Sequence, residues 1–126
     1  MEGKKTKRIL IVEDTPDLQM LLGRILKREG YQVLQAFNGQ EALNLLKASA
    51  ELPSVILLDI MMPVMDGLEF RREQKKDPRL RSIPVVAMTA YADTQTIAEQ
   101  MDVLKILRKP ISVSTLLEIA SSSPEQ

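Results

Sequence analysis

No cysteine and no histidine occur in these 126 residues. The first absence excludes disulfides, zinc–thiolate sites and thiol catalysis. The second excludes imidazole metal ligands, serine–histidine triads and a role as a phosphohistidine donor. An excess of charge is missing too. Seventeen Lys and Arg balance seventeen Asp and Glu, so bulk charge gives no reason to expect direct nucleic-acid binding. No apolar stretch approaches the length of a membrane span. The basic start, Met1 to Arg8, leads into an apolar run too short for a signal peptide. No Gly-x-x-x-x-Gly-Lys segment is present, which argues against Walker-type NTPase chemistry. A cytoplasmic protein is the expectation, with no membrane partner. The length suits one domain and one core.

What is present is a set of short apolar runs that end in reactive groups. Ile9-Leu10-Ile11-Val12 ends in Glu13-Asp14, and Val55-Ile56-Leu57-Leu58 ends in Asp59. Val85-Val86-Ala87-Met88 ends in Thr89, and Ile106-Leu107 leads through Arg108 to Lys109-Pro110. Short apolar runs of this kind read as buried parallel strands. In open α/β sheets, ligands bind at the carboxyl ends of such strands. The spacing therefore predicts three carboxylates, a hydroxyl and an ammonium at one edge. Carboxylates so close repel one another unless a proton, a lysine or a metal ion offsets the charge. That is the chemistry of a Mg²⁺-dependent phosphoryl site.

Helical segments separate the runs. Thr15-Pro16 reads as a cap, followed by Leu18, Leu21, Leu22, Ile25 and Leu26 at helical spacing, with a stop at Gly30. Tyr31–Ala36 reads as a short strand. Asn38 with Glu41 resembles a capping box for a helix to about Ser49, and Asp66 with Glu69 a second one for a helix to about Lys76. Strands are expected over Ser54–Asp59, Val85–Thr89 and about Val103–Arg108. Helices are expected around Thr94–Met101 and Ser112–Ala120. Five βα units imply a parallel sheet with right-handed crossovers and helices on both faces.

Asp59-Ile60-Met61-Met62-Pro63-Val64-Met65-Asp66-Gly67 resembles the phosphoacceptor segment of bacterial response-regulator receiver domains, and of chemotaxis-regulator-like ones in particular. Val12-Glu13-Asp14, Thr89-Ala90 and Lys109-Pro110 resemble the family's other motifs, in its order. The resemblance spans about Arg8 to Ala120. It implies a doubly wound, five-stranded sheet in the order 2-1-3-4-5 with five helices, the flavodoxin-like receiver fold. A receiver domain over residues 8–121 is expected, between a disordered basic N-terminus (1–7) and a flexible tail or linker start (122–126).

The resemblance also implies roles. Asp59 would take a phosphoryl group from the phosphohistidine of a histidine kinase, or from a phosphotransfer protein. Asp14, Asp59 and the backbone carbonyl of Met61 would ligate Mg²⁺, with Glu13 acting directly or through water. Lys109 would pair with Asp59 and then with a phosphoryl oxygen, next to a cis bond to Pro110. Thr89 would hydrogen-bond the phosphoryl group and draw its loop inward. Such a switch catalyses only its own phosphorylation and dephosphorylation, and acts through an output protein or domain.

Two other readings compete. An aspartyl-phosphate phosphatase needs a second acid two residues after the nucleophile, where Met61 stands. A degenerate receiver would bind partners without phosphorylation, against which stand Glu13, Asp14, Asp59, Thr89 and Lys109. The chain departs from the family at one region. Ile106 stands where a mobile tyrosine or phenylalanine is usual, Asp102-Val103 replace Gly-Ala, and the fourth helix is expected to be short. Tyr91 is a candidate substitute for the mobile ring. The cluster Met61-Met62-Met65 reads as loop packing.

Overall fold

The computed structural model describes residues 7–90 and 95–122. Among the described residues, five strands and five helices alternate. They are β1 (Arg8–Val12), α1 (Pro16–Arg28), β2 (Gln32–Ala36), α2 (Gly39–Ala48), β3 (Val55–Asp59), α3 (Gly67–Lys76), β4 (Val85–Thr89), α4 (Gln95–Met101), β5 (Lys105–Arg108) and α5 (Val113–Ser122). All strand pairs are parallel, in the order β2-β1-β3-β4-β5. This is the expected doubly wound sheet. β3 and β4 are buried at every position, as strands covered on both faces must be, whereas the edge strands β2 and β5 alternate with exposed residues.

Alternation within the strands builds two cores. Leu10, Val12, Ile56, Leu58, Val85 and Ala87 face α2, α3 and α4, where Ala42, Leu46, Phe70 and Met101 cover them. Ile9, Ile11, Val55, Leu57, Val86 and Met88 face α1 and α5, covered by Leu22, Leu26, Leu116 and Ile119. A shift of one residue would exchange the two sets and break the packing of each against its own helices.

Element ends differ from the expected ones for local reasons. Tyr31 is not in β2, because its N–H donates to Leu26 O at 3.1 Å and closes the end of α1. Gly30 takes φ +94, the left-handed conformation expected of a helix stop. Thr15 occupies the N-cap of α1 without a side-chain cap bond. Its N–H donates instead to Glu13 Oε2 at 3.0 Å. Asn38 and Asp66 do cap, accepting from the N–H groups of Glu41 and Glu69 at 2.9 Å each. Glu41 reaches back to the N–H of Phe37, one residue before the cap. Ser112 lies outside α5 and caps it, accepting from Thr115 N–H at 3.1 Å. Val103 and Leu104 precede β5, behind a turn at Asp102 with φ +55. Thr94 and Tyr91 lie outside the described residues, as do residues 1–6 and 123–126.

The loop from β3 to α3 is held by close backbone approach. Gly67 N–H donates to Ile60 O, and Gly39 N–H to Met65 O, both at 2.9 Å. A Cβ on Gly67 would lie 2.6 Å from Asp59 O and 2.9 Å from Ile60 Cα. Neither backbone atom can yield without moving Asp59. Gly67→Ala is therefore expected to cost about 1–3 kcal/mol by urea denaturation. At Gly30 nothing lies within 4 Å of such a Cβ. There Ala meets only the backbone strain of about 1–2 kcal/mol and leaves the site untouched. Equal stability of Gly67→Ala and wild type would refute the close-approach account.

Candidate functional site

Four strands deliver their terminal residues to one edge of the sheet. Glu13 and Asp14 follow β1, Asp59 ends β3, Thr89 ends β4 and Lys109 follows β5. One carboxylate oxygen from each of Glu13, Asp14 and Asp59 lies within 4.8 Å of the others. Glu13 and Asp59 are buried, while Asp14 is half-buried. Thr89 is buried, and its carbonyl accepts from Lys109 N–H at 2.8 Å. The Lys109–Pro110 peptide bond is cis, as expected.

The lysine partner is a finding that spacing did not reveal. Lys109 Nζ donates to Glu13 Oε1 at 2.7 Å and lies 3.3 Å from Asp59 Oδ2. Its closer partner is thus Glu13, not Asp59. Glu13 has an oxygen for each neighbour, since Oε2 accepts from Thr15 N–H. Asp59 Oδ1 accepts from Met61 N–H at 3.3 Å, which brings the Met61 backbone against the carboxylate. The Met61 side chain projects into solvent, while Met62 is buried and Met65 half-buried. Two of the three methionines therefore pack, and Met61 does not.

Gln19 is a second residue that the motifs did not expose. It is buried in α1 and its Nε2 donates to the carbonyls of Ile11, Glu13 and Ala36 at 3.1, 3.2 and 2.9 Å. It ties the ends of β1 and β2 to α1 and holds the backbone from which Glu13 and Asp14 project. Its signal in the sequence is a polar residue inside the apolar stripe of a helix.

Electrostatics separate the two buried acids. Burial and the charge of Glu13 push Asp59 up to about 6, against the pull of Lys109 and the Met61 N–H. Burial also works to raise Glu13, but the Lys109 hydrogen bond and the Thr15 N–H outweigh it and hold Glu13 below the usual range. Burial works to lower Lys109, and the two acids outweigh it and hold the ammonium above its usual range. Three carboxylates against one ammonium leave a formal excess of two negative charges. An all-oxygen donor set with that excess suits a hard divalent cation that keeps several waters, and half-buried Asp14 leaves a solvent side for them.

The family model for the response regulator receiver domain matches residues 9–121. The chain belongs to that family, whose members are signalling proteins rather than conventional enzymes, work with histidine kinases and output partners, and generally bind Mg²⁺ at an acidic site. Polar-differentiation response regulator DivK of Brucella anthropi is 40% identical over 120 residues, covering 92% of this chain and 94% of the relative. The signal receiver domain of a signal transduction histidine kinase from Syntrophus aciditrophicus has a TM-score of 0.81 and 33% identity, covering 92% of this chain and 88% of that one. Response regulator protein TrrA from Thermotoga maritima, solved in complex with Mg²⁺-BeF, has a TM-score of 0.80 and 30% identity, covering 92% and 97%. Among the described residues, no helix is long and apolar enough to cross a membrane.

The raised Asp59 gives a stability prediction. Its native pKa of about 6 exceeds the ordinary 3.8, so the native state binds the proton more tightly. Stability is therefore lost as pH rises through that window. In Mg²⁺-free buffer at about pH 7.5, Asp59→Asn should be more stable than wild type by about 1–3 kcal/mol, and the gain should vanish near pH 4. A stability difference that does not change with pH would rule out this origin.

Proposed function

We propose that this chain is a phosphorylation-controlled switch in which Asp59 accepts a phosphoryl group from the phosphohistidine of a histidine kinase or phosphotransfer protein. The observation that carries the reading is the convergence of Glu13, Asp14, Asp59 and Lys109 at the carboxyl edge of the sheet. An Asp59 carboxylate oxygen attacks phosphorus and forms an O–P bond. The P–N bond breaks, and its electron pair leaves with the donor imidazole. Lys109, already 3.3 Å from Asp59 Oδ2, donates to a phosphoryl oxygen once Asp59 carries the group. Thr89 offers its hydroxyl to another. Asp14, Asp59, the Met61 carbonyl and, directly or through water, Glu13 would hold Mg²⁺, which would supply positive charge against the phosphoryl oxygens. The Mg²⁺-BeF complex of TrrA supports the assignment by similarity. The acyl phosphate shifts the chain between two conformations with different affinity for an output protein or domain.

Incubation with acetyl phosphate and Mg²⁺ should add one phosphoryl group by intact mass. Asp59→Ala should abolish the addition, and omission of Mg²⁺ or Asp14→Ala should largely abolish it. Unchanged uptake by Asp59→Ala would overturn the assignment. The lifetime of the product gives a second test. Met61, two residues after the nucleophile, offers no carboxylate or amide to orient an attacking water. Met61→Asn should release phosphate several-fold faster than wild type. If wild type is as fast, the side chain at position 61 does not limit hydrolysis.

A further inference from the structure

The buried stripe of α3 is half polar. Gly67, Phe70, Arg71 and Gln74 face inward, at the spacing where an amphipathic helix carries apolar side chains. Phe70 fills its share of the core. Arg71 and Gln74 reach instead for the backbone of two neighbouring segments. Arg71 Nε donates to Met101 O at 2.9 Å, and Nη2 to Asp102 O at 2.7 Å. Nη1 donates to Gln74 Oε1 at 2.8 Å. Gln74 Nε2 donates in turn to Leu80 O and Ile83 O, at 2.9 and 3.1 Å. One network thus joins α3 to the segment before β4 and to the end of α4.

Met101 and Asp102 close α4, where carbonyls have no donor of their own within the helix. Among the described residues α4 spans seven, two turns that rely on packing for stability. Its chain turns at Asp102 with φ +55, a conformation that favours glycine. The Asp102 carboxylate pairs with Lys75 at 3.2 Å, so α3 grips the turn twice. This end of α4 lies at the edge of the sheet opposite Asp59, because Leu104 N–H donates to Val85 O at the start of β4. Any motion of Met101 and Asp102 away from α3 would leave a buried guanidinium without its acceptors. That is among the most costly ways to leave a polar group.

We propose that Arg71 and Gln74 form a latch that fixes the end of α4 and the entry to β5 in both states of the protein, so that the response to a phosphoryl group is confined to the Thr89 end of α4. This rests on the phosphoacceptor reading above. Half-buried Ile106, packed on the same core as Met101, then stays in place rather than relaying the signal. Arg71 is a positioning residue here, remote from the reacting atoms.

Hydrogen–deuterium exchange on the full chain tests the latch, with and without Mg²⁺ and beryllofluoride, a mimic of the phosphoryl group. Without the mimic, Arg71→Met should speed exchange over residues 101–108 about tenfold or more, since both charge-assisted bonds to Met101 and Asp102 are lost. Arg71→Lys keeps the charge but cannot bridge both carbonyls, and should fall between. In wild type the mimic should change exchange near Thr89 and the start of α4 and leave 101–108 unchanged. In Arg71→Met the change should spread through 101–108. Unchanged exchange in Arg71→Met without the mimic would overturn the proposal, as would a wild-type response to the mimic as large at 101–108 as near Thr89. If Arg71→Met does not fold, Arg71→Lys decides by the same criterion. Fluorine NMR of bound beryllofluoride separates the two readings. Absence of a bound signal counts against the phosphoacceptor site, while the exchange comparison without the mimic still judges the latch.

Discussion

Lys109 reaches from the end of β5 to the ends of β1 and β3, where its ammonium holds two buried carboxylates at hydrogen-bonding distance. Parallel pairing makes this contact possible, because it brings every strand's carboxyl end to one edge. The supports around it serve the same arrangement. Gln19 ties the chain ends of β1 and β2, and Gly67 lets the β3–α3 loop lie against Asp59. Without the ammonium, Glu13 and Asp59 would be two desolvated like charges. With it, a negative excess still remains beside half-buried Asp14. A shared proton or further positive charge would offset that excess.

That excess bears unevenly on the two buried acids. Glu13 is stabilised as an anion by Lys109 and by the Thr15 N–H, while Asp59 is raised to about 6 by burial and by Glu13. Asp59, the proposed nucleophile, is therefore the less comfortable of the two buried acids. The opposite edge of the sheet behaves differently. There Arg71 donates to the carbonyls of Met101 and Asp102 at the end of α4, and Gln74 to those of Leu80 and Ile83 before β4. One edge stores unbalanced charge and the other removes freedom.

Most of the fold was legible because it rests on period and punctuation. Four-residue apolar runs marked β1, β3 and β4, and Asn38, Asp66 and Gly30 marked helix ends by the bonds they in fact make or the backbone they adopt. The site was legible because strand ends converge. What escaped was pairing between residues far apart in sequence. Lys109 pairs with Asp59 as expected, but its additional and closer partner Glu13 was not foreseen. Arg79 fastens the end of α2 by donating to the carbonyls of Leu46 and Ser49, which no local pattern could announce. Gln19 and Arg71 left the same faint trace, a polar residue on the inward face of a helix. Such a trace says that a partner exists without saying where.

The central proposal is that Asp59 alone is the nucleophile of this edge, although carboxylate oxygens of Asp14 and Glu13 lie within 4.8 Å of its own. Borohydride reduction of the acetyl-phosphate-treated protein tests it directly, since hydride converts an acyl phosphate to the alcohol and marks the carboxyl that carried it. Peptide mass spectrometry should find the reduced residue, a homoserine, at position 59 and nowhere else. Reduction at position 14 instead, or at several acidic positions equally, would contradict the account.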